Sequence, residues 1–166
     1  MALWANDTNN PEGLSEMALK PLKLALVFLA AFVTMAAAHE DATGVVKERM
    51  DLMEEQKAAM KVIGDMAKGK VPLDTKEAAE AALIIEVTAK KIPELFPEGT
   101  VGYPSEAKPE IWTQWHKFEG DADALAVAAK NLAAVLEAND GVWKAKFKDV
   151  IDACKACHKT FRAEDD

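Results

Sequence analysis

Apolar side chains recur along this 166-residue chain at steps of three, four or seven, and no stretch alternates convincingly at period two, so the fold open to it is helix on helix. Between residues 40 and 67 the recurring positions are Val46, Met50, Met53, Met60 and Ile63, one stripe of a helix with period 3.6. Gly69 is placed to take the left-handed conformation that closes helix C-termini, and Pro72 stops propagation. Asp74 and Glu77 then have the spacing of a capping box, opening an Ala-rich second helix with Leu83, Ile84, Ile85 and Val87 that runs to Lys91, before Pro93. Residues 97–109 hold Pro97, Gly99, Gly102, Pro104 and Pro109 and read as an irregular surface loop. Pro109 suits the first turn of a third helix, where its missing N–H costs nothing. That helix carries Ile111, Trp112, Trp115, Phe118, Leu125, Leu132, Val135 and Leu136, has a weak point at Gly120, and stops near Asn139, Asp140 and Gly141. A fourth holds Val142, Trp143, Phe147, Val150, Ile151 and Phe161 and ends within 162–166. Short connections join the first helix to the second and the third to the fourth, which makes an all-α, antiparallel four-helix bundle.

The first 38 residues read as an address. Lys20 and Lys23 precede ten apolar residues, 24–33, and Ala36, Ala37 and Ala38 supply a cleavage site, the three parts of an export signal. Cleavage after Ala38 leaves a single domain, 39–166. The apolar run is half the roughly 20 residues a bilayer core needs, so no stable membrane anchor is expected. Residues 1–16 are polar and partly acidic, whereas a start at Met17 gives a short basic leader. The net charge of -8 disfavours docking on nucleic acid or an anionic membrane, and two cysteines are too few for a disulfide scaffold.

Those cysteines belong to the string Cys154-Lys155-Ala156-Cys157-His158. Two thiols three positions apart on a helix can each add to one vinyl group of a haem, while the adjacent imidazole reaches the iron. Structural zinc needs four ligands, and His39 and His116 offer no second compact pair. A thioredoxin-like pair belongs beside a βαβ pattern that is missing here. The expectation is one covalent haem c, held by Cys154 and Cys157 with His158 on the iron, in a periplasmic protein.

A haem-binding pentapeptide on the last helix of a bundle resembles the cytochrome c′ family and its low-spin, Met-ligated relatives. Ala107-Lys108-Pro109-Glu110-Ile111-Trp112 with Phe118 is similar to the family's entry into the third helix, residues 154–162 to its haem helix, and residues 67–74 to its first interhelix turn. The resemblance spans residues 40–163. It implies a homodimer formed through the first two helices, and a side chain above the haem with an Arg four residues earlier, here Met53 and Arg49. If Met53 ligates iron, the haem is six-coordinate and suited to electron transfer with a redox partner protein, the first reading of the sequence. If Met53 only packs, as methionines commonly do in bundle cores, the haem is five-coordinate and high-spin and binds NO or CO, the alternative.

Around this site, Trp112 and Phe118 are expected to wall the haem. Arg162, four residues after His158, either tunes the imidazole or a haem propionate or is a cation favoured at a helix C-terminus. His116 reads as a surface residue. Residues 141–162 carry Lys144, Lys146, Lys148, Lys155, Lys159 and Arg162 against Asp149 and Asp152, a basic rim able to steer an acidic partner. No acid–base pair is placed to support catalysis, so the chain does not read as an enzyme.

Overall fold

The structure is a computed structural model, and the residues it describes are 42–100 and 104–163. The expected leader 1–38, the alternative start at Met17 and His39 lie outside the described residues. The elements are α1 (Gly44–Ala67), α2 (Thr75–Lys91), a 3-10 turn (Pro93–Leu95), α3 (Glu110–Thr113), α4 (Trp115–Glu137) and α5 (Trp143–Phe161). The four long helices form the all-α bundle that the apolar periodicity requires.

Helix ends follow local chemistry. Gly69 has φ +70°; its N–H bonds Met66 O, and Lys70 N–H reaches Asp65 O at 2.9 Å, which satisfies the last carbonyls of α1. The end of α4 repeats the device with Asn139 (φ 51°) as the left-handed residue in place of Gly141, and Asp140 N–H bonds Val135 O at 2.8 Å. At the start of α2 the Asp74 carboxylate accepts from the N–H groups of Lys76 and Glu77, both at 3.0 Å.

The third helix breaks at Gln114, not at Gly120, which sits exposed inside an unbroken α4. Gln114 (φ -124°, ψ 39°) donates to Glu110 O and accepts from Lys117 and Phe118, ending one helix and starting the next. The break lets Ile111 enter the core and the Trp112 indole N–H reach Phe96 O at 3.0 Å, while Phe118 still heads the buried stripe of α4.

The most intimate helix pairing is α2 with α4. Ala78, Ala82 and Ala89 are buried on α2, and Ala122, Ala126, Ala129 and Ala133 on α4, small side chains that let the two backbones close up. Of the branched residues read into the second helix only Ile85 is buried; Leu83, Ile84 and Val87 face outward at 38%, 40% and 52% exposure.

On α1 the buried face is Arg49, Leu52, Gln56, Ala59, Ile63 and Met66. The stripe Val46, Met50, Met53 and Met60 is instead its half-buried flank. Helices α1 and α5 each pack on their own neighbour and scarcely approach one another. They come together near Gly64, where an added Cβ would stand 3.8 Å from the Phe147 ring. Their other ends, bearing Arg49 and Met53 on α1 and residues 154–161 on α5, share the opposite end of the bundle, linked through Phe96 and Phe118.

Candidate haem site

On α5 the positions 143, 147, 150, 154, 157 and 161 follow one another at steps of four and three, the seam of a helix packed in a bundle. Trp143, Phe147, Val150 and Phe161 are buried there, and Cys154 and Cys157 occupy the two intervening positions, half-buried against the core as free thiols. The motif residues are therefore aimed inward by the same periodicity that folds the helix. Burial raises the pKa of both thiols, that of Cys157 to about 11 with the Asp121 carboxylate adding to the effect, so both are neutral at pH 7. His158 lies beside this seam at the surface. Partial desolvation and then the charge of Arg162 lower its pKa, against an opposing influence of Glu106, which favours the neutral imidazole able to ligate a metal.

A strap from the 97–109 loop fastens the end of this helix. Lys108 N–H donates to Phe161 O at 2.9 Å, Ala163 N–H to Glu106 O at 2.8 Å, and Arg162 Nε to Glu106 Oε2 at 2.6 Å. Arg162, expected near the imidazole or a propionate, thus has Glu106 as a partner. Sequence reasoning missed Glu106, because the two residues are 56 positions apart and no local pattern joins them.

Arg49 is 4% exposed. Its Nη2 donates to Thr100 Oγ1 at 2.6 Å and Nη1 to Ser105 Oγ at 3.3 Å, two partners also unforeseen from the sequence. Its buried Nε has no partner, and among the described residues no carboxylate lies within 4.0 Å of the guanidinium. Burial lowers its pKa, yet a guanidinium stays charged in any protein. A buried cation without a counter-charge is costly, so this one, which finds no carboxylate among the described residues, suits a further anion. Haem carries two carboxylates, and the other requirements are also met: inward thiols on α5, an adjacent neutral imidazole, and α1 and α5 standing apart at that end. The residues fit a covalent haem.

Met53, one turn beyond Arg49, packs against the hydrophobic cluster from the half-buried flank of α1. Phe118 is buried, edge-on to Phe96 (4.9 Å) and to Phe161 (5.3 Å) and tilted against Trp115 (5.6 Å). Trp112 is half-buried and, with Phe96 and Trp115, lines a cleft of about 430 Å³ rimmed by Glu94 and Glu98. The His116 imidazole is fully exposed, 3.6 Å from Glu119.

An antiparallel four-helix bundle with a Cys-x-x-Cys-His seam on its last helix defines the helical-bundle class of c-type cytochromes. The chain belongs to the cytochrome c′ family, whose sequence profile matches residues 44–162, and it carries one covalent haem c. It is 39% identical to cytochrome c′ of Pararhodospirillum photometricum over 62% of this chain and 83% of that one. It is 32% identical to cytochrome c-554 of Cereibacter sphaeroides over 86% and 96%. Among solved structures, cytochrome c′ of Rubrivivax gelatinosus superposes with a TM-score of 0.65 at 31% identity, covering 71% of this chain and 94% of that one. The nitric oxide complex of a mutant cytochrome c prime from Alcaligenes xylosoxidans does so with 0.66 at 26%, covering 72% and 94%.

Proposed function

We propose that this is an exported, periplasmic monohaem cytochrome c′ whose haem is five-coordinate and high-spin and binds NO or CO on the side of Met53. This reverses the order in which the sequence was read. The observation that carries it is the packing of Met53 against the hydrophobic cluster, where its thioether fills space in an apolar wall. Likeness to cytochromes c′, one of them solved with nitric oxide, supports the same reading.

Bound there, haem supplies a reducible iron that takes a diatomic ligand. The chain does the rest. Cys154 and Cys157 hold the group on α5, and His158 offers a lone pair from one side. Arg49 neutralises carboxylate charge inside the bundle, and its hydrogen bonds to Thr100 and Ser105 fix the turn of α1 that presents Met53. Met53 and the aromatic cluster around Phe118 and Trp112 keep the pocket apolar, favouring weakly polar diatomic ligands over water. The outward Leu83, Ile84 and Val87 of α2 suit a homodimer through the first two helices. No catalytic role is assigned.

A second reading keeps electron transfer through iron ligated by His158 and Met53, because Met53 is half-buried on a long unbranched side chain and not sealed in the core. Absorption spectra of the holoprotein and of Met53→Ala in both oxidation states separate the two. The proposal expects a high-spin wild type, little changed by the substitution, with rapid CO binding when reduced. A low-spin wild type that becomes high-spin on substitution returns the function to electron transfer.

A further inference from the structure

Reduction of the haem matters under either role of Met53, because electron transfer requires it and CO is taken only by the reduced iron. The chain as a whole is net -8, yet α5 sets Lys144, Lys146, Lys148, Lys155 and Lys159 against only Asp149 and Asp152. Helices α1 and α4 are net negative and α2 is balanced. Among the four long helices, only the one that holds the haem is net basic.

Helical geometry sorts these lysines further. At about 100° per residue, Lys144, Lys148, Lys155 and Lys159 fall within a sector of roughly 60° and span roughly 22 Å of helix. All four are exposed. Lys146 lies off this sector and pairs with Asp149 at 3.2 Å. His158 projects between the lysine sector and the buried cysteine seam, so the stripe borders the edge where the imidazole surfaces. Lys148 is held by Asp152. Lys155 and Lys159, the two that bracket His158, have no carboxylate within 4.0 Å among the described residues.

We propose that Lys144, Lys148, Lys155 and Lys159 form the docking stripe for an acidic one-electron carrier protein, resting on the haem reading given above. The carrier loses one electron and the ferric haem gains it, with no bond made or broken. Charge complementarity selects the occupant: a compact acidic surface matches a stripe of this length, while an extended polyanion such as DNA also meets the net negative remainder of the molecule. Exposed lysines suit a brief, electrostatically guided encounter, fast at low salt and quickly undone.

The test is stopped-flow reduction of the holoprotein by a reduced acidic flavodoxin as probe, from low to physiological ionic strength. The expected rate falls about tenfold or more with salt. Lys155→Glu/Lys159→Glu lowers the low-salt rate about tenfold and flattens the salt dependence. Lys155→Gln/Lys159→Gln falls between. A control reversal of equal charge on the other helices, Lys57→Glu/Lys76→Glu, leaves most of the rate intact. Salt-independent reduction, or a control as slow as the α5 variant, overturns the docking stripe. The haem spectrum of each variant, recorded first, separates the two claims: colourless protein overturns the haem reading, and a normal spectrum with an unaltered rate overturns only the docking.

Discussion

The guanidinium carbon of Arg49 lies 4.2 Å from the centre of the Phe96 ring, and Phe96 in turn packs edge-on against Phe118. A charge is thereby carried from α1 onto the aromatic cluster that ends at Phe161, without a carboxylate to balance it among the described residues. If haem carboxylate supplies the balance, Arg49→Met leaves that anion buried and unpaired and costs the holoprotein about 1–3 kcal/mol. Arg49→Lys recovers less than half, because a point charge reproduces neither the fork to Thr100 and Ser105 nor the guanidinium's contact over the Phe96 ring. Guanidinium titration of the three holoproteins measures this; a Met variant as stable as the parent would remove the counter-charge argument.

Gln56 and Thr88 make a buried polar contact between α1 and α2, Nε2 donating to Oγ1 at 3.1 Å, with Thr88 Oγ1 also donating to Ile84 O at 2.7 Å. Such a pair fixes register more than it stabilises. Removing one partner strands the other, so Gln56→Leu and Thr88→Val are each expected to cost about 1 kcal/mol. The double variant should cost less than the sum of the two, with a coupling of about 1 kcal/mol in urea titrations. Strict additivity would show that the two groups do not depend on each other.

Those two contacts explain where sequence reading ran short. Helix ends were legible because Gly69, Asp74, Pro93 and Asn139 act within a few residues of themselves. The haem seam was legible because Cys154 and Cys157 continue the step of four and three set by Trp143, Phe147 and Val150. The buried face of α1 was not, since it contains Arg49 and Gln56, whose partners arrive from 32 to 56 positions away. Periodicity alone moved that face onto Val46, Met50 and Met53, which form the half-buried flank of the helix. The outward Leu83, Ile84 and Val87 misled in the same manner: alanines won the core face of α2 because α4 approaches too closely for larger side chains, a tertiary constraint. The break at Gln114 accompanies the Trp112 indole bond to Phe96 O, 16 positions away and equally out of local view.

Left-handed backbone at the two helix ends gives a third expectation. A Cβ added at Gly69 meets nothing within 4 Å, so Gly69→Ala is opposed only by its φ of +70° and should cost about 1 kcal/mol. Asn139 already holds φ 51° with a Cβ, and Asn139→Gly relieves it, for a gain of a few tenths to about 1 kcal/mol. Thermal melts of both holoproteins test the pair of opposite signs. Two shifts in the same direction would show that the backbone angle is not the cause.

Acid should weaken the molecule through Asp65. Hydrogen bonds from Lys61 Nζ and Lys70 Nζ bring its pKa down to about 2 from an ordinary 3.8. Lys70 reaches it from beyond the Gly69 turn, so the pair forms only when α1 is capped. Since the folded carboxylate keeps its proton off to lower pH than the unfolded one, the unfolded state binds more protons between those values. The stabilisation is therefore complete above the unfolded pKa and drains away as pH falls toward 2. Asp65→Asn should lower stability at about pH 6 and narrow its gap from the wild type by about pH 3 in urea titrations of the holoprotein. Added salt should shrink the difference at the higher pH, because the three side chains are reachable by solvent. A variant whose deficit stays constant from neutral to acid pH would mean that Asp65 acts through shape or hydrogen bonding alone, with no linked proton.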